Sequence, residues 1–303
     1  MLDKFKSRRN YKFIDLFAGI GGFHLALSNL NAECVFASEI DKHARKTYIT
    51  NHKKSSSELF NSNNFNDDIT QIDPLEIPDF DILCGGFPCQ PFSQAGLKKG
   101  FKDDRGNLFF YIANIIDKKQ PKAFFLENVR HLLKHDDNKT FATIKNIIQN
   151  ELGYSLYYQI VKASDFGLPQ HRPRIFIVGF KDDHLYKFEF PKPKPLEMTM
   201  SDVWRGKCSK DIGFTLRVGG RGSTISDRRN WDSYLVDGVE KRISPEQGKK
   251  MQGFPEDFIF PVSETQAMKQ LGNSVAVPAV QATAGAIIDY LSILENTKRN
   301  LIC

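Results

Sequence analysis

Cys89 lies in the stretch "GGFPCQPFS" (85–93), directly after the apolar run "FDILC" (80–84). Glycine and proline on both sides of the thiol forbid helix and leave backbone open. A thiol at the mouth of a strand in such a loop is either a small residue in a tight turn or a nucleophile offered to a substrate. Cys84, inside the apolar run, suits the role of a buried small residue better. The five cysteines (Cys34, Cys84, Cys89, Cys208, Cys303) are odd in number and lack short paired spacings. That pattern argues against a disulfide framework and against a zinc site, so no metal is expected, and it fits a reducing cytoplasm.

A second constellation lies near the start of the chain. "DLFAGIGGF" sets Gly19, Gly21 and Gly22 between a strand-like and a helix-like segment. Glycines there let a ligand approach backbone amides at a helix N-terminus. His24 stands where the dinucleotide fingerprint has its third glycine. Glu39 ends the next apolar segment, placed to accept hydrogen bonds from both hydroxyls of a ribose. Together these favour an adenosine-containing cofactor, without separating a nicotinamide dinucleotide from S-adenosylmethionine. Asp68 reads either as a partner for an adenine amino group or as a turn cap.

These residues need a frame. "YKFIDLF", "AECVFASEI", "FDILCGG", "PKAFFLENV", "SLYYQIVKA" and "RIFIVGF" read as strands. "GGFHLALSNL", "DKHARKTYITNH", "NLFFYIANIID" and "TFATIKNIIQNEL" read as helices between them, with Asp41 capping the second and Phe23, Leu27 and Leu30 sharing a face of the first. The alternation predicts a parallel sheet covered on both faces. It stops at "FPKPKPLE" (190–197), whose prolines mark a linker. A glycine-rich basic stretch follows. Helical signals restart at "ISPEQGKKMQGF", with Ser244 as cap and Pro245 in the first turn, and "VPAVQATAGAIIDYLSIL" (277–294) reads as a final helix.

The chain of 303 residues carries a net charge of +6. Residues 191–250 hold 13 Lys and Arg against 8 Asp and Glu, so nearly all of the surplus sits there. A polyanion is the natural partner of such a patch, although a solvated surface would look the same. No apolar run reads as long enough to span a membrane, and the charged N-terminus does not read as a signal peptide.

Six segments in order, "FIDLFAGIGGF", "GGFPCQPFSQAG", "FLENV", "QHRPRIFIVG", "MQGFPEDF" and "QLGNSVAVPAV", resemble the DNA cytosine-5 methyltransferases. The resemblance covers nearly everything except residues 191–242, the variable stretch of that family. It implies an α/β fold, a Rossmann-like S-adenosylmethionine-dependent methyltransferase sheet with a small inserted target-recognition domain. Residues 1–190 and 272–303 would form the catalytic and cofactor-binding domain, and 191–271 the small recognition domain with connecting helices.

By the same resemblance, Cys89 is the nucleophile that adds to cytosine C6. Glu127 contacts N3 and the 4-amino group, where a carboxyl with a raised pKa offsets charge built up in the addition. Arg174 contacts the flipped base and Arg172 organises the loop; from the residues alone, both could equally grip phosphates. Phe17, Ile20, Glu39, Ile40, Asp68, Ile69, Phe87, Leu108, Asn273, Ser274 and Val275 map onto cofactor contacts, beside the glycine turn. Ile40 departs from the tryptophan often found at its position. Segment 96–107 resembles a loop that closes on DNA, with Ser93 and Arg105 touching the target-strand backbone. Thr215 and Leu216 match the recognition-domain "TL" pair. Arg217, Arg221, Arg228 and Arg229 suit guanine or phosphate, and Trp231 is a small-domain core residue or a stacking group.

The expected partner is double-stranded DNA, with a target of about four to six base pairs. The expected protein is a monomer, cytoplasmic and nucleoid-associated. Three other readings compete: a tRNA-directed cytosine-5 methyltransferase, a non-catalytic DNA-binding subunit, and a nicotinamide-dependent oxidoreductase suggested by the glycine turn alone.

Overall fold

The structure is a computed structural model that describes residues 10–89, 108–181 and 186–302, with side chains through residue 297. Its first half alternates strand and helix. Strand Lys12–Leu16 (β1) leads to helix Gly22–Ser28 (α1), strand Glu33–Ser38 (β2), helices Lys42–His52 (α2) and Ser57–Asn61 (α3), and the short strand Phe65–Asn66 (β3). Strand Ile82–Gly86 (β4), helix Leu108–Lys119 (α4), strand Ala123–Val129 (β5) and helix Lys139–Asn146 (α5) follow. Strands Tyr157–Val161 (β6) and Arg174–Phe180 (β7) complete one seven-stranded sheet of order β3-β2-β1-β4-β5-β7-β6.

The strands are apolar throughout because both faces are covered. In β5, Ala123 and Phe125 pack into the cluster that holds α1 and the C-terminal helix, whereas Phe124 and Leu126 pack into the one that holds α4 and α5. The sheet is not all parallel, as the alternation had suggested. β7 runs antiparallel to both β5 and β6. Between Val161 and Arg174 the only helical turn is Ala163–Asp165, so no crossover helix exists to return the chain parallel. α1 ends at Ser28, leaving Leu30 just beyond it.

The rest forms a smaller unit. Helix Met200–Trp204 (α6), the hairpin of Ser233–Val236 (β8) and Val239–Arg242 (β9), and helix Pro245–Gln252 (α7) surround Trp231 and Tyr234. Asp237 and Gly238 both have positive φ, as a two-residue hairpin turn with right-handed strand twist demands. Ser244 and Gln247 close a capping box on α7, with Pro245 at its start. Helices Glu264–Asn273 (α8) and Val277–Ile302 (α9) carry the chain back. The apolar core of the small unit is continuous with one face of the sheet: Trp231, Val236, Met251 and Leu271 belong to the same cluster as Phe13 and Phe125.

Unlike the sequence expectation, one stretch, Glu264–Thr297, is long and apolar enough by length and composition to cross a membrane. Here α9 packs on the sheet instead, with Ala279, Val280, Ala284, Ile287 and Leu291 buried against α1 and its neighbours.

Candidate active site

The strand order reverses between β1 and β4, so their C-terminal ends diverge and open a crevice. Phe17 leaves β1 with φ of 55°, a left-handed conformation that strains an aromatic residue. The turn brings the Gly19 amide onto Glu39 Oε2 at 2.7 Å. Glu39 Oε1 accepts from the Asp41 amide, also at 2.7 Å. Burial pushes the Glu39 carboxyl above its ordinary range, and the two amides pull it back. Each oxygen keeps a lone pair for another donor.

The three glycines differ in purpose. A Cβ on Gly19 would meet nothing within 4 Å, so that face is open. A Cβ on Gly21 would collide with His52 Nε2, and one on Gly22 would come within 2.5 Å of Val275 Cγ2. The last two let α1 sit close to α2 and to the segment before α9.

β4 ends at Gly86 and delivers Phe87, Pro88 and Cys89 into the same crevice. Asn128 Nδ2 donates to the Phe87 carbonyl at 2.8 Å, tying this loop to the end of β5. Cys89 is partly exposed, and burial raises its thiol above its ordinary pKa. Cys34, Cys84 and Cys208 are buried. Glu127 is 8% exposed, and Arg174 Nε meets its Oε1 at 2.9 Å. Burial raises the Glu127 carboxyl; Arg174 and then Arg172 oppose the rise without cancelling it.

These residues line one cleft of about 600 Å³. Phe17, Gly19, Ile20, Glu39 and Ile40 contribute to its wall, as do Phe87, Cys89, Leu108, Glu127 and Arg174. Asn273 enters it from the end of α8, and Thr215 and Arg217 from the small unit. Ile40 is 72% exposed and offers an apolar face beside Glu39. A larger cavity of about 950 Å³ lies beside the starts of β1 and β2, with Tyr11 and Glu33 in its wall, and contains none of the residues just named.

Several anticipated site residues are elsewhere. Arg172 is 2% exposed and does not line the cleft. Its guanidinium donates to the carbonyls of Leu216 at 3.3 Å, Gly272 at 3.0 Å and Ser274. It therefore ties the small unit to the α8–α9 junction and cannot reach a phosphate. Asp68 accepts from the amide and hydroxyl of Thr70, capping a turn, and Ile69 is buried below it. Neither lines the cleft, and Ser274 and Val275 pack behind Gly22 rather than facing the cavity. Arg221 is held by Asp232, Glu264 and the Ile243 carbonyl, and Arg229 pairs with Asp227. Arg228 is exposed. Trp231 is 1% exposed and donates to the Gly219 carbonyl, so it is a core residue. Ser93, Arg105 and the segment 96–107 lie outside the described residues.

Sequence reasoning missed Lys269 and Val218, which line the cleft, and saw Asp41 only as a cap. Asp41 does cap α2, and it also pairs with Lys269 at 3.1 Å. Nothing local links two residues so far apart in the chain. Among the described residues no group of three or more His, Cys, Asp and Glu is arranged to hold a metal ion.

A partly exposed cysteine at a strand end, a buried carboxyl paired with arginine beside it, and a glycine-turn carboxylate thus share one cleft of an α/β fold. The comparisons are specific. The family of C-5 cytosine-specific DNA methylases matches residues 11–216 and 209–289. The type II methyltransferase M.SsoII of Shigella sonnei is 46% identical over 93% of this chain and 81% of its own length. The type II methyltransferase M.HpaII of Haemophilus parainfluenzae is 39% identical over 95% of this chain and 92% of its own length. In fold, the crystal structure of S. pombe Dnmt2 methyltransferase superposes with a TM-score of 0.69 at 19% identity, covering 93% of this chain and 99% of that one. The chain belongs to the C-5 cytosine-specific DNA methylase family, and it is an enzyme that methylates cytosine in DNA.

Proposed function

We propose that this enzyme transfers the methyl group of S-adenosylmethionine to C5 of a cytosine turned out of a short specific sequence in duplex DNA. The observation that carries the reading is the meeting of Cys89, Glu127 and Arg174 with Gly19 and Glu39 in one cleft.

The residues fit the donor. The open face of Gly19 admits a ligand against the backbone, Glu39 has lone pairs free for ribose hydroxyls, and Ile40 and Phe17 offer apolar surface to an adenine. Asn273 completes the pocket from α8. Ser274 and Val275 pack behind Gly22, and Ile69 shares a buried cluster with Phe87, so these three support the pocket. When bound, the donor supplies an electrophilic methyl on a sulfonium.

The Cys89 thiolate forms a bond to C6, and the ring electrons move to C5, which becomes nucleophilic enough to take the methyl. Glu127 shares a proton with N3 and so offsets the charge that addition puts on the ring. Its burial suits this role, because it raises the carboxyl's pKa and so favours the protonated form. Arg174 fixes the Glu127 carboxyl and offers its outer nitrogens to the base. Arg172 positions the small unit over the cleft. The Cys89 proton passes to solvent before the addition; afterwards a water-derived base takes the C5 proton, the C5–C6 double bond re-forms and Cys89 leaves C6 as thiolate, completing the cycle. A base inside a stack cannot present C6 to a thiol, so the nucleotide must swing out, at a cost of about a few kcal/mol.

Thr215 and Arg217 in the wall, with Arg228 and Arg229 exposed beyond, provide the DNA-facing surface. One copy acting alone in the cytoplasm, on nucleoid DNA, suffices for this chemistry. The test is a covalent trap. Duplex DNA containing 5-fluorocytosine, incubated with S-adenosylmethionine, accumulates an enzyme–DNA adduct, because fluorine cannot leave as a proton does. Cys89→Ser abolishes the adduct; an adduct that persists in that variant overturns the reading.

A further inference from the structure

Asp232 is the most completely enclosed charged residue of the small unit, at 0% exposure. Its Oδ2 accepts two hydrogen bonds and forms a longer ion pair with Arg221. The Gly222 amide meets it at 3.3 Å, Arg242 Nη1 at 3.2 Å and Arg221 Nε at 3.7 Å. Residue 231, its neighbour, donates from the indole to the Gly219 carbonyl at 3.0 Å. Two adjacent residues thus pin both ends of the turn 219–222. Immediately before that turn, Arg217 and Val218 enter the catalytic cleft, and Val218 is 50% exposed.

Arg221 extends the fastening outward. Besides Asp232, its Nη2 reaches the Ile243 carbonyl at 2.8 Å and Glu264 Oε1 at 3.1 Å. One side chain therefore joins the turn, the start of α7 and the first residue of α8. With its donors so engaged, Arg221 is poorly placed to serve as a DNA contact. Gly219 and Gly222, by contrast, have open space at their Cβ positions, so backbone can come close to another molecule there.

We propose that Asp232 and Arg221 are positioning residues, which hold the 219–222 turn so that Arg217 and Val218 meet the bases flanking the target cytosine. This rests on the DNA reading above. A recognition segment discriminates only if its supporting contacts fix it before binding, and a buried carboxylate shared by two arginines and an amide does that. Arg217 supplies the hydrogen-bonding fork toward a base edge or phosphate, and Val218 an apolar surface beside it.

The experiment compares Arg221→Ala, Arg221→Lys and Asp232→Asn with the full-length parent. Methylation of a plasmid library of randomised sites is read by bisulfite sequencing, and affinity for a random-sequence duplex is followed against salt. Positioning predicts that Arg221→Ala and Asp232→Asn each lose about tenfold in discrimination between the preferred site and single mismatches. The salt dependence stays that of the parent, and Arg221→Lys fails to rescue, because an ammonium cannot span three acceptors. A drop of about 0.9 in the salt slope with discrimination intact, restored by lysine, makes Arg221 a phosphate contact and overturns the proposal. Unchanged discrimination and unchanged slope also overturn it. If Asp232→Asn does not fold, the half-exposed Arg221 variants still decide. Absence of any DNA methylation by the parent would instead remove the reading on which the proposal rests.

Discussion

Arg174 on β7 reaches across the sheet to Glu127 on β5, with Nε 2.9 Å from Oε1. The two are diagonal neighbours on one face of an antiparallel pair, since Arg174 stands opposite Val129 and Phe176 opposite Glu127. The reversal of β7 is what makes this pairing available. Burial raises the Glu127 pKa, and the Arg174 and then the Arg172 guanidinium pull it back.

Glu127→Gln keeps the shape and loses the exchangeable proton. The expected loss in single-turnover methyl transfer is about 10²- to 10⁴-fold, with binding of S-adenosylhomocysteine unchanged by calorimetry. Arg174→Ala removes the main group that lowers the Glu127 pKa, so that carboxyl rises further and the carboxylate form becomes scarcer. The fall in activity as Glu127 loses its proton should therefore move to higher pH in this variant, and Glu127→Gln should show no such fall.

Cys89 presents the opposite problem to a pre-activated thiol. Burial raises its pKa, and among the described residues no cation lowers it. In the free enzyme it is therefore protonated near neutrality. The rate of alkylation by iodoacetamide, located by peptide mass spectrometry, should climb steadily from pH 7 to 9 with no plateau. A plateau near pH 7 would mean a thiolate already formed without substrate.

The glycine turn separates stability from ligand binding. Gly21→Ala drives a methyl into the locked His52 ring at positive φ, and is expected to cost several kcal/mol by denaturant unfolding, about 1–3 of them from overpacking. Gly19→Ala meets no neighbour and carries only the penalty of a left-handed φ, about 1 kcal/mol. Its methyl projects from the amide beside Glu39, so its larger effect should be on S-adenosylhomocysteine affinity, read by calorimetry.

What the sequence made legible was local. The apolar runs, the Asp41 and Ser244 caps and the glycine turn are each specified by residues within a few positions of one another. The strand-end thiol was also visible, because glycine, proline and cysteine share one short loop. What Arg172 ties together was not legible, because its three carbonyl acceptors lie 44 to 102 residues away. Arg221 was read as a DNA contact because Asp232, Ile243 and Glu264 meet it only after folding. The direction of β7 depended on the absence of a helix before it, and pattern reading weighs presence more readily than absence. Charged side chains declare their type in the sequence, but their partners belong to tertiary structure.

His24 and His52 stack behind the glycine turn, with ring centroids 4.2 Å apart. His24 bonds to Tyr48 and Ser56, and His52 to the Ile20 carbonyl. Burial pushes both below their ordinary value, His52 to about 4. The unfolded chain takes up these protons near pH 6.5, while the folded one refuses them until pH is much lower. Stability from each histidine is thus present above about pH 6.5 and is lost as pH falls toward the folded value, at up to about 1.4 kcal/mol per pH unit. Asp15, fully buried nearby, acts in the opposite sense. Burial raises its pKa, so its contribution is present at low pH and is lost as pH rises. The two variants should therefore bend the pH dependence in opposite directions. Between pH 5 and 6.5, His52→Gln should lower the slope of unfolding free energy against pH by up to one proton, and Asp15→Asn should raise it by up to one, both measured by urea titration. Parallel slopes for parent and His52→Gln would mean that the buried imidazole is not neutral.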